Sequence, residues 1–398
     1  MSHRVRILYS HRIASRDGQA VHLESLIAAL RRQGHEVEVV GPSAYAEARF
    51  GDDGGWVARL RRALPRAVAE LAELAYAIPA ALRLDRAART GAFDALYERY
   101  NLFHFAGSLV ARRRRLPFLL EVNAPLAEER ARFGGLAWPG LARWAERFVW
   151  RRADLALPVT EVLAGHLRAA GVPAERIVVV PNGIDLAAFP PDLAARQAGE
   201  EAREIVLGFV GFVREWHGLE AVVRGIAAWQ GRQRLALVVV GDGPARPGLA
   251  RLAAELGIAE RVRFTGLAER EEIPRLVASF DVALQPAAVP YACPLKLVEY
   301  MAAGRAIVAP DQPNIRELVA HERTALLFPP GDVAAMWAAI ARLAGEASLR
   351  ARLGAAARAE VLARDLTWDG NARRVAALVR GLRSGAAPVS VPAGAGTA

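Results

Sequence analysis

Apolar and polar positions along this chain switch between a strand-like run and a helix-like repeat, and the whole pattern starts over once. Val5-Arg6-Ile7-Leu8-Tyr9 is a short apolar run of the kind that forms a buried strand, and after a loop carrying Asp17-Gly18, Leu23, Leu26, Ile27 and Leu30 recur at helical spacing. Gly34 is placed to stop that helix, and residues 36–40 read as a second strand ending in Gly41-Pro42, completing a strand–helix–strand unit of the parallel α/β kind. Further strands are predicted at 95–98, 117–122, 155–158 and 177–180, with helical stretches between them. From Glu204 the alternation begins again, with strands at 205–210, 235–240, 262–265 and 282–285 and helices at 219–229, 250–256 and 272–280.

Two doubly wound α/β domains are the economical reading. The polar, proline-marked stretch from Pro190 to Glu201 reads as a linker, which sets the domains at 1–190 and 202–365. Residues 366–383 read as an amphipathic helix packing back on the first domain, and the Gly/Ala/Pro/Ser stretch 384–398 as a disordered tail. Two such domains facing each other would place a ligand in the cleft at the carboxyl ends of both sheets, so the chemistry is expected on loops that follow strands.

Composition narrows the chemistry. At 398 residues and 53% hydrophobic the chain is globular. Its one cysteine, Cys293, allows no intramolecular disulfide and no Cys-x-x-Cys site, so a reducing compartment is expected. The charge-free run 282–295 is 14 residues long and holds three prolines, short of the roughly 18 apolar residues of a spanning helix. The opening Met1-Ser2-His3-Arg4 lacks a signal-peptide stretch, and a cytoplasmic protein is expected. Lys296 is the only lysine among 52 basic residues, so Schiff-base or Walker-type lysine chemistry could come from that position alone, and Pro294, Leu295 and Leu297 around it are no glycine-rich phosphate loop.

The net charge of +10 is concentrated early: residues 1–185 hold 27 arginines against 20 acids. Arg112 to Arg115 form one run, and Arg59, Arg61, Arg62 and Arg66 another cluster. Two readings stand: peripheral attraction to an anionic membrane face or acidic acceptor, and an arginine-rich surface that is merely solvated. Nucleic acid is not expected, because the clusters carry no interleaved aromatics and no reading motif.

Neither Asp17-Gly18-Gln19-Ala20 nor Gly241-Asp242-Gly243-Pro244 is a dinucleotide fingerprint, and His-Glu-x-x-His, G-x-S-x-G and Asp-x-Asp are absent, which disfavours nicotinamide, zinc-protease, α/β-hydrolase and metal-dependent transfer chemistry. The strongest segment runs from Tyr291-Ala-Cys-Pro-Leu-Lys296-Leu-Val-Glu299 through Gly304 to Pro310. It resembles the signature of the family-4 retaining glycosyltransferases of the GT-B fold. Asn314-Ile315-Arg316-Glu317, Phe328-Pro-Pro-Gly-Asp332, Pro181-Asn182-Gly183-Ile184-Asp185, Gly211 to Gly218, Gly241-Asp242-Gly243-Pro244, Phe264-Thr265-Gly266 and, near the amino end, Asp17-Gly18 to His22 and Gln33 to Val37 continue the resemblance in order.

The resemblance implies an α/β GT-B architecture of two facing Rossmann-like domains, an acceptor on the first and a nucleotide-diphosphate sugar on the second, and no cofactor or metal. Pro294 and Leu295 would open a helix whose free N–H groups face the diphosphate. Lys296 would clamp that diphosphate, the alternative being an i,i+3 pair with Glu299. Glu299 would accept the donor ribose hydroxyls, the alternative being a solvated helix glutamate. Gly18, Gly241 and Thr265 fall on donor-side motif positions. Three departures stand out. Tyr291 replaces the first acid of the family's Glu-x7-Glu pair. Phe212 occupies the usual arginine slot, leaving Arg214 and His217 for phosphate. Asn123 stands where the family commonly has a histidine, and can position a hydroxyl but not act as a base. Glu98 and Arg99 end a strand where they could face an acceptor or form a structural ion pair. A nucleotide-sugar epimerase or hydrolase of the same fold, and a paralogue that binds nucleotide sugar without turnover, are the other readings of these residues.

Overall fold

The computed structural model describes residues 4–13, 18–42, 64–191 and 204–385. They divide into two compact units, one formed by Met1–Pro181 with Trp368–Ala398 and the other by Asn182–Thr367.

The first unit is built on a parallel sheet of order β2-β1-β3-β4-β5. Its strands are β1 (Arg6–Ser10), β2 (Glu36–Val40), β3 (Ala95–Arg99), β4 (Phe118–Val122) and β5 (Leu155–Pro158). β3, β4 and β5 are buried along their whole length, as strands covered on both faces must be, whereas the edge strand β2 keeps Glu36 and Glu38 partly exposed. Sequence separation is overcome by register: Tyr9 lies opposite Tyr97, and Arg99 opposite Glu121. The helix Trp368–Ser384 returns to this unit and packs on the helix Gly18–Arg32. Asp369 accepts from Arg32 at 2.8 Å through its carboxylate and from Gln33 at 2.7 Å through its carbonyl, and the Trp368 and His22 rings meet at a tilt, 4.8 Å apart.

The second unit carries a six-stranded parallel sheet of order β11-β10-β9-β6-β7-β8. Its strands are β6 (Ile205–Val210), β7 (Leu235–Val240), β8 (Val262–Gly266), β9 (Val282–Leu284), β10 (Ala306–Pro310) and β11 (Leu326–Phe328). The order reverses between β6 and β9, which is the point where doubly wound sheets open a ligand crevice at their carboxyl ends. Leu207, Phe209, Leu237 and Val239 are fully buried, and packing against Val222, Ile226 and Ile340 stabilises each by about 1.5–3 kcal/mol relative to exposure.

Several boundaries differ from the sequence reading. The domain border falls at Asn182 rather than at 190, because Ile184 N–H donates to Leu366 O at 3.1 Å and Asn182 Nδ2 donates to Cys293 O at 2.7 Å, tying this stretch into the second unit. Residues 177–180 run beside β5, with Val178 and Val180 N–H donating to Ala156 and Pro158 carbonyls, yet form only an isolated bridge and not a sixth strand. Gly18 is the first residue of a helix rather than part of a loop, while Asp17 lies outside the described residues. Ser384 still belongs to the last helix, and 386–398, most of the tail, lie outside the described residues, as do 192–203, Arg59, Arg61 and Arg62. No described helix is long and apolar enough to cross a membrane.

Candidate functional site

In the second unit the loops after β6 and β7 interlock. Gly211 ends β6 at φ +134°, and a Cβ there would come within 3.1 Å of Lys296 Nζ. Gly241 ends β7 at φ +132°, where a Cβ would lie 2.2 Å from the Gly211 carbonyl oxygen. Both conformations belong to glycine, and the loops can cross this closely only because neither carries a side chain. Gly211 N–H donates to Val240 O and Val213 N–H to Asp242 O, each at 2.9 Å.

Arg214 then opens a 3-10 turn over Glu215–His217, its N–H donating to His217 Nδ1 at 3.1 Å. The imidazole is buried, 5.0 Å from the Phe209 ring and 3.9 Å from the Trp216 ring. Burial, with the Lys296 and Arg214 charges beside it, pushes its pKa down to about 3. His217 is therefore neutral near pH 7, and since Nδ1 is the acceptor, Nε2 carries the proton as a donor. The Arg214 side chain is exposed and leans over Phe212, guanidinium carbon 4.9 Å from the ring centre.

Facing this loop, the chain after β9 leads to Pro294, whose φ −70° and ψ 116° cap the helix Leu295–Ala302. The helix places Lys296 in its first turn, with Nζ 3.8 Å above the Phe209 ring. The lysine is half-buried, and desolvation pulls its pKa down to about 7, against the attraction of Glu299. Glu299, one turn further, is pushed up to about 7 by burial, opposed by Lys296 and Arg270. The two feel each other's charge without forming an ion pair, so the i,i+3 pairing is absent. An anion at this helix start would restore the lysine charge and meet unpaired backbone N–H groups.

Lys296, His217, Glu299 and Gly211 are thus brought to the β6/β9 switch point, with Gly241 against Gly211. Thr265 is not in that group. It sits in β8, two strands from β6 and so about 10 Å across the sheet, exposed, with its hydroxyl donating to Gly266 O at 3.0 Å. Tyr291 is buried at 5% exposure, and Leu295 is half-buried on the helix's first turn. Phe209, the face on which Lys296 rests, was not anticipated. An aromatic ending an apolar strand gives no sequence sign that a cation will lie on it.

In the first unit the strand period separates Glu98 from Arg99 onto opposite faces. Glu98 Oε2 accepts from Gly107 N–H at 2.8 Å and Ser10 Oγ at 3.0 Å, and lies 3.4 Å from His104 Nε2. Burial pushes its pKa up to about 8, against those two hydrogen bonds, and pushes His104 down to about 3, with the Arg12 charge adding to the effect. Arg99 Nη1 instead pairs with the buried Glu121 carboxylate, to which Asn123 Nδ2 also donates at 2.6 Å. Glu121 itself was missed, although an acid inside Leu119-Leu120-Glu121-Val122 is a legible sign of a buried polar site.

Arg113 and Arg114 share Asp85, while Arg112, Arg115, Arg151, Arg152 and Arg176 line an open hollow with a single acid, Asp154. Among the described residues no group of three or more His, Cys, Asp or Glu side chains could hold a metal ion.

Comparison with known proteins places these features. Residues 204–346 match the family described as "Glycosyl transferases group 1", and residues 17–183 match "Glycosyl transferase 4-like domain". The GDP-mannose-dependent alpha-mannosyltransferase of Mycolicibacterium smegmatis is 30% identical over 372 residues, covering 92% of this chain and 94% of that protein. The alpha-D-kanosaminyltransferase of Streptomyces kanamyceticus is also 30% identical, but over 221 residues, so that the match spans 54% of this chain and 57% of that protein. Among solved structures, sucrose-phosphate synthase from Thermosynechococcus elongatus superposes with a TM-score of 0.75 at 19% identity, covering 96% of this chain and all of that one, which fixes the fold as GT-B. With both halves matched in order and a relative 30% identical over 372 residues, the chain belongs to the group 1 glycosyl transferases.

Proposed function

We propose that this transferase moves a sugar from a nucleotide-diphosphate sugar to a hydroxyl of a glycan, lipid-linked or small-molecule acceptor, with retention of anomeric configuration. The observation that carries the reading is the meeting of Lys296, neutral His217 and a free helix N-terminus at the sheet switch point. As the bond between the anomeric carbon and the phosphate oxygen breaks, negative charge grows on the leaving diphosphate. Lys296, Arg214 and the helix N–H groups would stabilise it in place, and His217 Nε2–H would donate to it. Glu299 would hold the ribose. With no carboxylate at position 291 to act as nucleophile, the acceptor oxygen attacks on the face the phosphate leaves, and its proton passes to the departing phosphate oxygen. These groups are all supplied by the chain, so the reading needs no metal. A role in cell-surface polysaccharide or glycoconjugate synthesis at the cytoplasmic face of the membrane fits a donor of this class.

The test is a panel of UDP-, GDP- and ADP-sugars, following nucleotide release with and without lipid-linked glycans and with and without inositol 3-phosphate and 2-deoxystreptamine, the compounds in the names of two similar transferases. Release that requires an acceptor supports transfer. Release into water alone would favour the hydrolase, and tight binding without turnover the non-catalytic paralogue.

Donor affinity should follow a bell in pH centred near 7. Lys296 must be protonated and Glu299 ionised for binding, and burial brings both pKa values to about 7. Above that, loss of the ammonium weakens binding; below it, protonation of Glu299 does. Glu299→Gln should weaken binding at pH 7 and flatten the acid limb only, read by calorimetric titration. An unchanged acid limb would remove the ribose role.

The arginine-lined hollow supports contact with an anionic membrane. Binding to vesicles of 30% phosphatidylserine should be lost on replacing Arg112, Arg115 and Arg176 with glutamine, and should weaken with salt. Binding that survives those substitutions would return these arginines to the role of a solvated surface.

A further inference from the structure

We infer that Glu121 is a positioning residue for the acceptor, holding Asn123 and Arg99 so that each presents its remaining polar atoms at the carboxyl end of the first sheet. The inference rests on the reading of the first unit as the acceptor side.

Glu121 sits on β4 with 2% exposure and is the meeting point of five side chains. Tyr97 Oη donates at 2.9 Å, Tyr9 Oη at 3.3 Å and Asn123 Nδ2 at 2.6 Å; His22 Nε2 lies at 3.2 Å, and Arg99 Nη1 completes the set. All the strand residues fall on one face, since Tyr97 and Arg99 are two apart on β3, Glu121 and Asn123 two apart at the end of β4, and Tyr9 stands opposite Tyr97. Burial alone would favour the neutral acid. The His22 and Arg99 charges and the hydrogen bonds from His22 and Asn123 outweigh it and hold the carboxyl well below the ordinary range.

That ionisation decides the orientation of Asn123. A carboxylate can only accept, so the amide must turn its NH2 toward Glu121, and its Oδ1 faces the other way. Oδ1 receives no hydrogen bond from a described residue. The side chain thus offers a fixed acceptor to a hydroxyl, which is the correct polarity for an acceptor O–H. Arg99 is fixed in the same way: Nη1 goes to Glu121, while Nε and Nη2 have no partner among the described residues and remain available to a ligand oxygen. Asn123 and Arg99, the two residues at the strand ends, thus keep polar atoms that Glu121 does not use.

The first measurement needs no acceptor. In the full-length protein with 15N-labelled asparagine, the Asn123 side-chain NH2 should exchange with solvent at least tenfold more slowly than exposed asparagines, and Glu121→Gln should abolish that protection, because a glutamine amide no longer demands a donor. Fast exchange in the wild type overturns the inference. Should Glu121→Gln fail to fold, Glu121→Asp, which retracts the carboxylate by one methylene, serves in its place. The second measurement uses whichever panel acceptor supports turnover. Glu121→Gln and Asn123→Ala should each raise the acceptor KM about tenfold while the donor Kd stays within twofold. A merely structural role would instead lower donor affinity, folded yield and kcat together. If the wild type turns over no acceptor at all, the transferase reading fails, and amide exchange alone decides whether Glu121 positions these groups.

Discussion

Lys296→Ala is expected to lower kcat by about 10²–10³-fold, the range typical of removing one preorganised donor to a developing oxyanion. Three observations set that expectation. The ammonium is half-buried on the Phe209 ring, so its interaction with a diphosphate is screened less than that of a surface lysine. Among the described residues no carboxylate pairs with it, so its charge is not spent on a described partner. It also stands in the first turn of a helix, where a cation is disfavoured by about 0.3–1 kcal/mol unless an anion is bound. A bound anion would reverse that sign, so the favourable interaction of this lysine belongs to the liganded state. Lys296→Arg sharpens the test. The guanidinium keeps the charge but is longer and planar, and the space is bounded by the Phe209 ring at 3.8 Å and by the Gly211 backbone. Loss of about tenfold or more in kcat, with an unchanged melting temperature, would show that a compact ammonium is required. If Lys296→Ala kept turnover within threefold and lowered only the melting temperature, the lysine would be a packing element on Phe209 and the phosphate role would be lost.

How far this site could be read without coordinates depends on which contacts are local. The strands flanking Gly211 and Gly241 are apolar runs ended by glycine, and their position after strands in an α/β alternation places them at the carboxyl edge. Lys296 and Glu299 were legible because they share one helix with a capping proline. The contact of Lys296 with Phe209 was not, since it depends on β6 and β9 being neighbours across the switch, and sheet order is not written in any one segment. Glu98 and Arg99 illustrate the same limit. Period two shows that they face opposite sides, but which side meets the partner depends on the β3 register against β4, where Arg99 falls opposite Glu121. Residues 177–180 have the composition of a strand and the hydrogen bonds of half of one, but Pro181 follows and removes the next donor. Tertiary placement, rather than propensity, decided each of these points.

A second large effect is expected in stability rather than turnover. Glu98→Gln should shift stability in the variant's favour, relative to wild type, by about 3 kcal/mol between pH 5 and pH 8. Glu98 is fully buried, and burial raises its pKa from 4.5 to about 8 despite hydrogen bonds from Ser10 and Gly107. For an acid whose folded-state pKa is raised, the unfolded chain releases its proton first. Stability is therefore greatest below 4.5, falls as pH rises through the interval, and levels off once pH passes about 8. Glutamine has the shape of the protonated acid and can still accept from Gly107 N–H and Ser10 Oγ, so it keeps the contacts and removes the titration. Its amide would lie near His104, whose ring is neutral and whose two nitrogens have no hydrogen-bond partner among the described residues. Whatever constant cost that amide adds appears equally at both pH values, which is why the pH dependence of the difference, and not its size at one pH, is the quantity to measure. Thermal unfolding at pH 5 and 8 should show the variant gaining several degrees relative to wild type at the higher pH only. A gap that stays flat with pH would mean that Glu98 is already ionised in the fold, held by Gly107 N–H at the start of the Ala106–Arg114 helix, and that its charge anchors the helix.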